Sequence, residues 1–451
     1  MRFIPVSCEQ REAMLRAVGV SDVDELFSDV PEQALLRAPL ALPDEMAEPE
    51  LAEHLKALAA RDLDADHVVS FLGAGCYDHY LPPIVDAMVS KPAFFTAYTP
   101  YQAEVSQGTL QAVYEFQTMI AELTGTEIAN ASMYDGATAL AEAALMSVRV
   151  TKRARVVVSA SVHPEWRAVL ATYAEAGVLD VVESPSAEGR SDLESLAEFV
   201  DDSVAAVLVS HPTFYGCLED LNAIAALAHD KEALLVAAAN PLLLGMLEPP
   251  GSFGADIVVG EGQPLGVPMA FGGPGFGFFA CSKGHARQMP GRVVGRTVDV
   301  DGRTGFVLTL QTREQHIRRE RATSNICSNH ALTALAASVY LSSVGAGGLE
   351  DIALACVSKA HYLRERLIDT GRFEPVWETP FAHEFTLRYD GDVAAMHSAM
   401  LARGYVAGYA LGKMERTDAG LRNPGPLVLF AVTERRTRSQ MDAFAEEVAS
   451  L

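Results

Sequence analysis

Lysine is scarce in this chain. Its 451 residues hold seven: Lys56, Lys91, Lys152, Lys231, Lys283, Lys359 and Lys413. Any chemistry that needs a side-chain amine has only these to draw on. Positive charge is short overall, with 35 Lys and Arg against 59 Asp and Glu and a net charge of −24. That balance argues against nucleic acid or an anionic membrane as partner. The six cysteines are scattered and form no C-x-x-C pair, so a disulfide framework and a zinc ribbon are both excluded. Free thiols in a reducing cytoplasm are expected, and no metal. No apolar run reads as long enough to cross a bilayer, and the opening MRFIPVSCEQREAML does not read as a signal peptide. Internal repeats and low-complexity tracts are absent.

What is present is an ordinary globular composition, 49% apolar and 21% charged. The length predicts two or three domains. Residues 1–60 read as a helical arm broken by Pro31, Pro39, Pro43 and Pro49, with a capping-box-like helix start at Ser21 and a short helix from Glu50 to Ala60. Residues 61–330 read as a large α/β domain. Short apolar runs at Val156–Ser159, Val204–Ser210, Leu234–Ala238 and Asp256–Val259 alternate with helical patterns such as Glu165–Ala174 and Leu221–His229. That rhythm predicts a mostly parallel sheet covered on both faces, with ligands at the carboxyl ends of its strands. Residues 331–451 read as a smaller α+β domain, into which a helix at Ala331–Ser343 passes by way of Gly345–Gly348. A G-x-G occurs in Phe71–Tyr80, but without the strand and helix that a dinucleotide fingerprint needs.

The stretch Phe94–Gly125 packs Tyr98, Tyr101, Glu104, Ser106 and Gln107 into a Pro-broken turn locked by a helix. A rigid small-molecule site is often built this way. This stretch and three later blocks carry a resemblance: ELTGTEIANASMYDGATALAEA from Glu122, GVPMAFGGPGFG from Gly266, and the long run from Pro290 that includes QTREQHIRRERATSNIC. Together they resemble the glycine-cleavage P-protein family, glycine dehydrogenase (decarboxylating), end to end. The chain looks like the N-terminal-half subunit found where that enzyme is split in two. The resemblance implies a pyridoxal-phosphate type I aminotransferase-like fold. It implies an enzyme that decarboxylates glycine and passes the aminomethyl group to the lipoyl arm of the H-protein.

A self-sufficient enzyme of that kind needs a lysine to hold the cofactor, an aspartate to keep the ring nitrogen protonated, and a phosphate cup at a helix N-terminus. The lysine is expected just after the strand Ala255–Gly260, where the chain reads Glu261-Gly262-Gln263-Pro264-Leu265-Gly266. The aspartate is expected on Leu234–Asn240, where alanines stand instead. Asp135 is expected as the N-cap of a helix beginning near Gly136, where its charge would oppose a phosphate by about 1 kcal/mol even in water. His163 reads either as a ring-stacking residue or as a strand-end cap.

The expectation is therefore a chain with no catalytic residue acting alone, whose cofactor is bound by the partner subunit. Shared-site candidates are Tyr98, Tyr101 and Glu104. Thr323, Ser324 and Asn325 resemble the segment that reaches a neighbour's cofactor phosphate. Implied partners are a homologous lysine-bearing subunit 2, in an assembly of two copies of each, together with lipoylated H-protein and glycine. The basic run Arg313, His316, Arg318, Arg319 and Arg321 reads either as a docking or steering surface or as a solvated helix face. Two rival functions stay open: a homodimeric pyridoxal-phosphate decarboxylase or aminotransferase, and a purely structural or regulatory subunit.

Overall fold

The computed structural model describes residues 6–36, 38–270, 273, 275–326, 328–414, 418–421 and 423–451. Cys327 and parts of the glycine-rich turn after Gly266 lie outside them. The chain divides into two compact units, Met1–Leu63 and Asp64–Leu451.

In the first unit, helices Cys8–Val18 (α1) and Glu48–Ala59 (α2) bury no side chain. The start predicted at Ser21 yields only a single 3₁₀ turn, Asp24–Phe27. There the Ser21 N–H and hydroxyl both go to the Glu25 carboxylate, and Asp22 takes the Asp24 N–H. Side chains thus satisfy the donors that would have opened a longer helix.

The second unit is organised on a seven-stranded sheet. Its strands are Ile128–Ala129 (β1), Arg155–Ser159 (β2), Asp180–Ser184 (β3), Val204–His211 (β4), Leu234–Ala239 (β5), Ile257–Glu261 (β6) and Gly277–Cys281 (β7), in the spatial order β1-β7-β6-β5-β4-β2-β3. The pairs from β6 to β3 are parallel, and β7 is antiparallel to β6 and β1. Alternate residues feed opposite faces, as the strand period requires. Val157, Val207, Leu235 and Val258 join one core with Phe116 and Ile120 of helix Gln107–Thr124 (α3). Val156, Leu208, Val236 and Val259 join the other with Leu140, Ala143 and Ala144 of helix Gly136–Thr151 (α4) and Leu170 of helix Pro164–Glu175 (α5). Helix Leu221–Asp230 (α6) covers the first face with Leu221 and Ile224.

A hairpin, Val293–Val298 (β8) with Thr304–Thr309 (β9), stands outside this sheet. Two side-chain amides of α3 fasten it: Gln107 gives and takes one hydrogen bond with the backbone of Phe306 (2.9 and 2.8 Å), and Gln117 does the same with Val294 (3.0 and 2.8 Å).

At the predicted passage Gly345–Gly348 two helical stretches meet at a kink, with Gly345 at φ +65° and ψ 179°, and together they run from Ala331 to Asp369 (α7). Beyond the kink Leu349, Ala353, Cys356, Ala360, Leu363 and Leu367 are buried at alternating spacings of four and three, which keeps the chain helical. By length and composition this helix could cross a bilayer, with a mean hydropathy of 1.4 over 18 residues, contrary to the sequence expectation. Here its apolar residues serve the core. Ala334, Ala337 and Tyr340 pack under the large sheet, and Leu363 and Leu367 pack under a four-stranded antiparallel sheet. That sheet comprises Phe373–Pro375 (β10), Glu384–Tyr389 (β11), Tyr409–Ala410 (β12) and Leu427–Ala431 (β13), in the order β10-β11-β13-β12. Helices Val393–Ala402 (α8) and Arg438–Ala449 (α9) cover it through Met396, Met400 and Phe444.

Candidate functional site

The carboxyl ends of β4, β5 and β6 open into a narrow cleft of about 60 Å³. Its walls include Tyr77, His163, Trp166, Phe214, Glu261 and Glu384. On β5 the lining residues are Ala238, Ala239 and Asn240, so no carboxylate comes from that strand. At the end of β6 no lysine is present, and Lys283 is exposed on a turn beyond β7.

Glu261 takes an unexpected place. As the last residue of β6 it points to the N-terminus of α4, where its carboxylate accepts the Gly136 N–H (2.9 Å), the Phe276 N–H (3.2 Å) and the Gln263 N–H (3.2 Å). One donor from the helix start and two from the chain flanking β6 and β7 converge on the carboxylate and form an anion cup. Asp135 caps the same helix, taking the Thr138 N–H at 2.7 Å. Trp166 roofs the cup so closely that a Cβ on Gly136 would lie 2.3 Å from its ring. Burial pushes the Glu261 carboxyl up to about 7, and the nearby Asp135 charge works in the same direction. A cofactor phosphate does not fit here, because the chain's own carboxylate holds the donors it would use. His163 performs the cap: it accepts the Glu165 N–H (3.2 Å) at the start of α5, while its other ring nitrogen meets Ala74 O at 2.9 Å. Its ring also stacks on Trp166, so it forms one wall of the cleft.

The far wall is a buried polar cluster on the loop Phe71–Tyr80 and β11. Glu384 accepts the Ala74 N–H and the Tyr77 hydroxyl, both at 2.7 Å, and burial raises it to about 7. His383 is 2% exposed, and neither ring nitrogen has a hydrogen-bond partner among the described residues. Burial, aided by the neighbouring His79, drives it down to about 3, so it is neutral. His79, Cys356 and Glu434 bring possible metal-ligand atoms within 4.8 Å of one another. Burial pushes the Cys356 thiol up, and the thiol donates to Glu434 (3.5 Å). With His79 also bonded to Glu434 at 2.7 Å, the three side chains form a hydrogen-bonded network centred on that carboxylate.

The sequence-derived candidates lie elsewhere. Tyr98 and Tyr101 are 75% and 57% exposed, and Glu104 is exposed as well. Tyr101 nevertheless meets the basic run: its ring lies 6.2 Å from that of His316 and 5.7 Å from the Arg292 guanidinium. Thr323 lines a polar cleft of about 530 Å³ with Arg287, Arg313, Arg318 and Arg321. Ser324 donates to Glu142 (2.7 Å), so its hydroxyl is engaged within the chain, whereas Asn325 is exposed. Of the basic run, Arg313 is a buried clamp on the carbonyls of Met289 and Gly291, whereas Arg321 is 80% exposed beside Glu320. Sequence reasoning missed Glu261, Glu384, His383 and Arg292, because none sits in a spacing that announces a role. Only for Glu261 was there a signal: an acid where the fold expects a lysine.

Residues 1–447 match the glycine cleavage system P-protein family. A probable glycine dehydrogenase (decarboxylating) subunit 1 from Carboxydothermus hydrogenoformans is 51% identical over 446 residues, covering 99% of each chain. A crystal structure of glycine decarboxylase (P-protein) of the glycine cleavage system, in inhibitor-bound form, superposes with a TM-score of 0.89 at 47% identity, covering all of both chains. A Lactobacillus brevis glutamate decarboxylase shares the fold at 15% identity, covering 94% of this chain and 96% of its own, with a TM-score of 0.68. The architecture is that of the type I pyridoxal-phosphate enzymes, and the chain belongs to the glycine cleavage system P-protein family.

Proposed function

We propose that this chain is the cofactor-free subunit of a two-subunit glycine decarboxylase. The observation that carries this reading is Glu261: the anion cup of the chain's own cleft is filled, and no lysine stands beside it. Pyridoxal phosphate then belongs to a homologous lysine-bearing subunit, where it supplies an electron sink for loss of the glycine carboxylate. This chain completes that site from the face bearing Tyr98, Tyr101, Glu104 and Thr323. The Thr323 hydroxyl lies in an arginine-lined cleft suited to a phosphate. Through Glu142, Ser324 fixes the segment that carries it, and the exposed Asn325 is free to reach the same phosphate. The exposed arginines Arg318 and Arg321 offer an acidic H-protein a docking surface. Five described cysteines are free thiols, which suits a reducing cytoplasm.

The test begins with the chain alone. Incubated with pyridoxal phosphate and reduced with borohydride, it should yield no single stoichiometrically labelled lysine peptide. One such peptide would restore the homodimeric alternative. In the reconstituted pair, Thr323→Ala should weaken cofactor affinity roughly 10- to 100-fold, the worth of one hydrogen bond to a charged group. Wild-type kinetics from Thr323→Ala, Tyr98→Phe and Tyr101→Phe alike would favour a regulatory subunit.

The filled cup makes its own prediction. Pyridoxine 5′-phosphate lacks the aldehyde and cannot label surface lysines, so it reports the cup alone. Wild-type chain should not bind it saturably, and Glu261→Ala should gain at least about tenfold in affinity, with inorganic phosphate competing. Equal binding by the two proteins would show that Glu261 does not close the cup.

A further inference from the structure

Arg292 directly precedes β8 and is only 6% exposed. The backbone of Pro290, Gly291 and Arg292 is held at each residue. The Ala131 N–H donates to Arg292 O (2.8 Å), Asn130 donates to Pro290 O (3.1 Å), and Arg313 donates to Gly291 O (2.9 Å). The guanidinium is not held in this way. Among the described residues it has no carboxylate partner, Nη1 is buried with no hydrogen-bond partner at all, and Nη2 reaches only the Tyr101 hydroxyl, at 3.5 Å. The other deeply buried arginines are compensated: Arg167 pairs with Glu183 at 2.6 Å, Arg436 with Asp78 at 2.7 Å, and Arg313 spends its donors on carbonyls.

A guanidinium cannot shed its proton to escape burial, and a buried charge without a partner costs several kcal/mol. Arg292 also lines a cavity of about 160 Å³, together with Tyr98, Thr99, Ser328, Asn329 and apolar Val113 and Leu332. One fixed cation, a few polar groups and apolar walls make a site for a small organic anion.

We propose that Arg292, assisted by the Tyr101 hydroxyl, binds the carboxylate of a small carboxylic acid in this cavity. Resting on the function proposed above, that acid is the amino-acid substrate. The fork of the guanidinium suits the two oxygens of a carboxylate. Tyr101 then acts as a positioning residue that holds the fork, and the exposed tyrosine turn is the entrance.

The probes are glycine, acetate and methylamine, tested on the full chain and on the reconstituted pair. Acetate and glycine should raise the melting temperature of the wild-type chain, and methylamine should not. Arg292→Gln should weaken the acetate effect roughly 10- to 100-fold, and Arg292→Lys should restore part of it. In the pair, Arg292→Gln should raise KM for glycine by a similar factor while kcat changes little. The proposal is overturned if acetate fails to protect the wild-type chain, or if it protects Arg292→Gln equally well. It is also overturned if acetate protects the isolated chain but not the pair, because a carboxylate of the partner then fills the site. Acetate protection of the isolated chain needs neither cofactor nor partner. An inactive pair with an acetate-protected chain would therefore overturn the proposed function and leave this site standing.

Discussion

Asp78→Ala should destabilise the chain by about 3–5 kcal/mol, the usual loss when one member of a buried ion pair is removed, and lower its melting temperature by roughly 3–5 °C for a chain of this length. Asp78 is 8% exposed and takes two arginines at once, Arg435 on one oxygen and Arg436 on the other. Its carbonyl also accepts the Thr433 hydroxyl at 2.7 Å. The Arg436 side chain is 4% exposed, so removing Asp78 leaves a charge that water cannot reach. Arg435 keeps 29% of its side chain exposed, and Arg435→Ala should cost under about 1 kcal/mol. The contrast between the two substitutions is the check: equal losses would mean that burial does not set the cost. The loop Phe71–Tyr80 supplies Gly75 and Tyr77 to the cleft, so Asp78→Ala should also loosen that wall, seen as faster amide exchange at Tyr77.

Acid should unfold the chain steeply, and the cause lies in two neutral imidazoles. Burial holds His383 down to about 3 and His211 down to about 4. Below pH 6.5 the unfolded chain protonates both and the folded chain does not, so stability falls as pH falls. Glu261 and Glu384 act in the opposite sense. Burial raises each to about 7, so the folded chain keeps protons that the unfolded chain releases above pH 4.5, and stability falls as pH rises from 4.5 to 7. Between about pH 4.5 and 6.5 these two pairs oppose each other at about 1.4 kcal/mol per group and pH unit, and stability is near its maximum. Below pH 4.5 the carboxylates no longer offset the imidazoles. Glu434 adds to the loss there: burial pushes it up, but the His79 hydrogen bond and charge prevail and hold it at about 2. The acid limb should therefore drop about 4 kcal/mol per pH unit down to pH 4, where His211 begins to protonate. From pH 4 to 3, where His383 and Glu434 still act, it should drop about 3 kcal/mol. In Glu384→Gln one falling term is gone, so its stability relative to wild type should rise by about 1.4 kcal/mol per pH unit from pH 4.5 to 6.5. Parallel curves for the two proteins would refute the assignment.

The central parallel strands were readable because each is a short apolar run bounded by polar or glycine residues, and burial on both faces leaves that mark. Asp135 was readable as a cap because its role is local, settled within three residues. The kinked helix was not, since Gly345 looks the same in sequence whether the chain turns away or resumes its helix. The cleft was legible as a set of absences, lysine after β6 and aspartate on β5. What fills it was hidden, because Glu261 meets Gly136 across 125 residues of chain. Arg292 was hidden for the same reason: its isolation is a property of the folded surroundings. The tyrosine turn was picked out, but its meeting with Arg292 and His316 needed coordinates.

The two glutamines of α3 leave a mechanical signature. They are ten residues apart, about 15 Å along the helix axis, and each grips one rung of a different strand of the β8–β9 ribbon. A single bolt would allow swivelling; two, set that far apart, forbid it. The ribbon's bare tip at Val300 is thus the free end of a stiff lever whose fulcrum is α3.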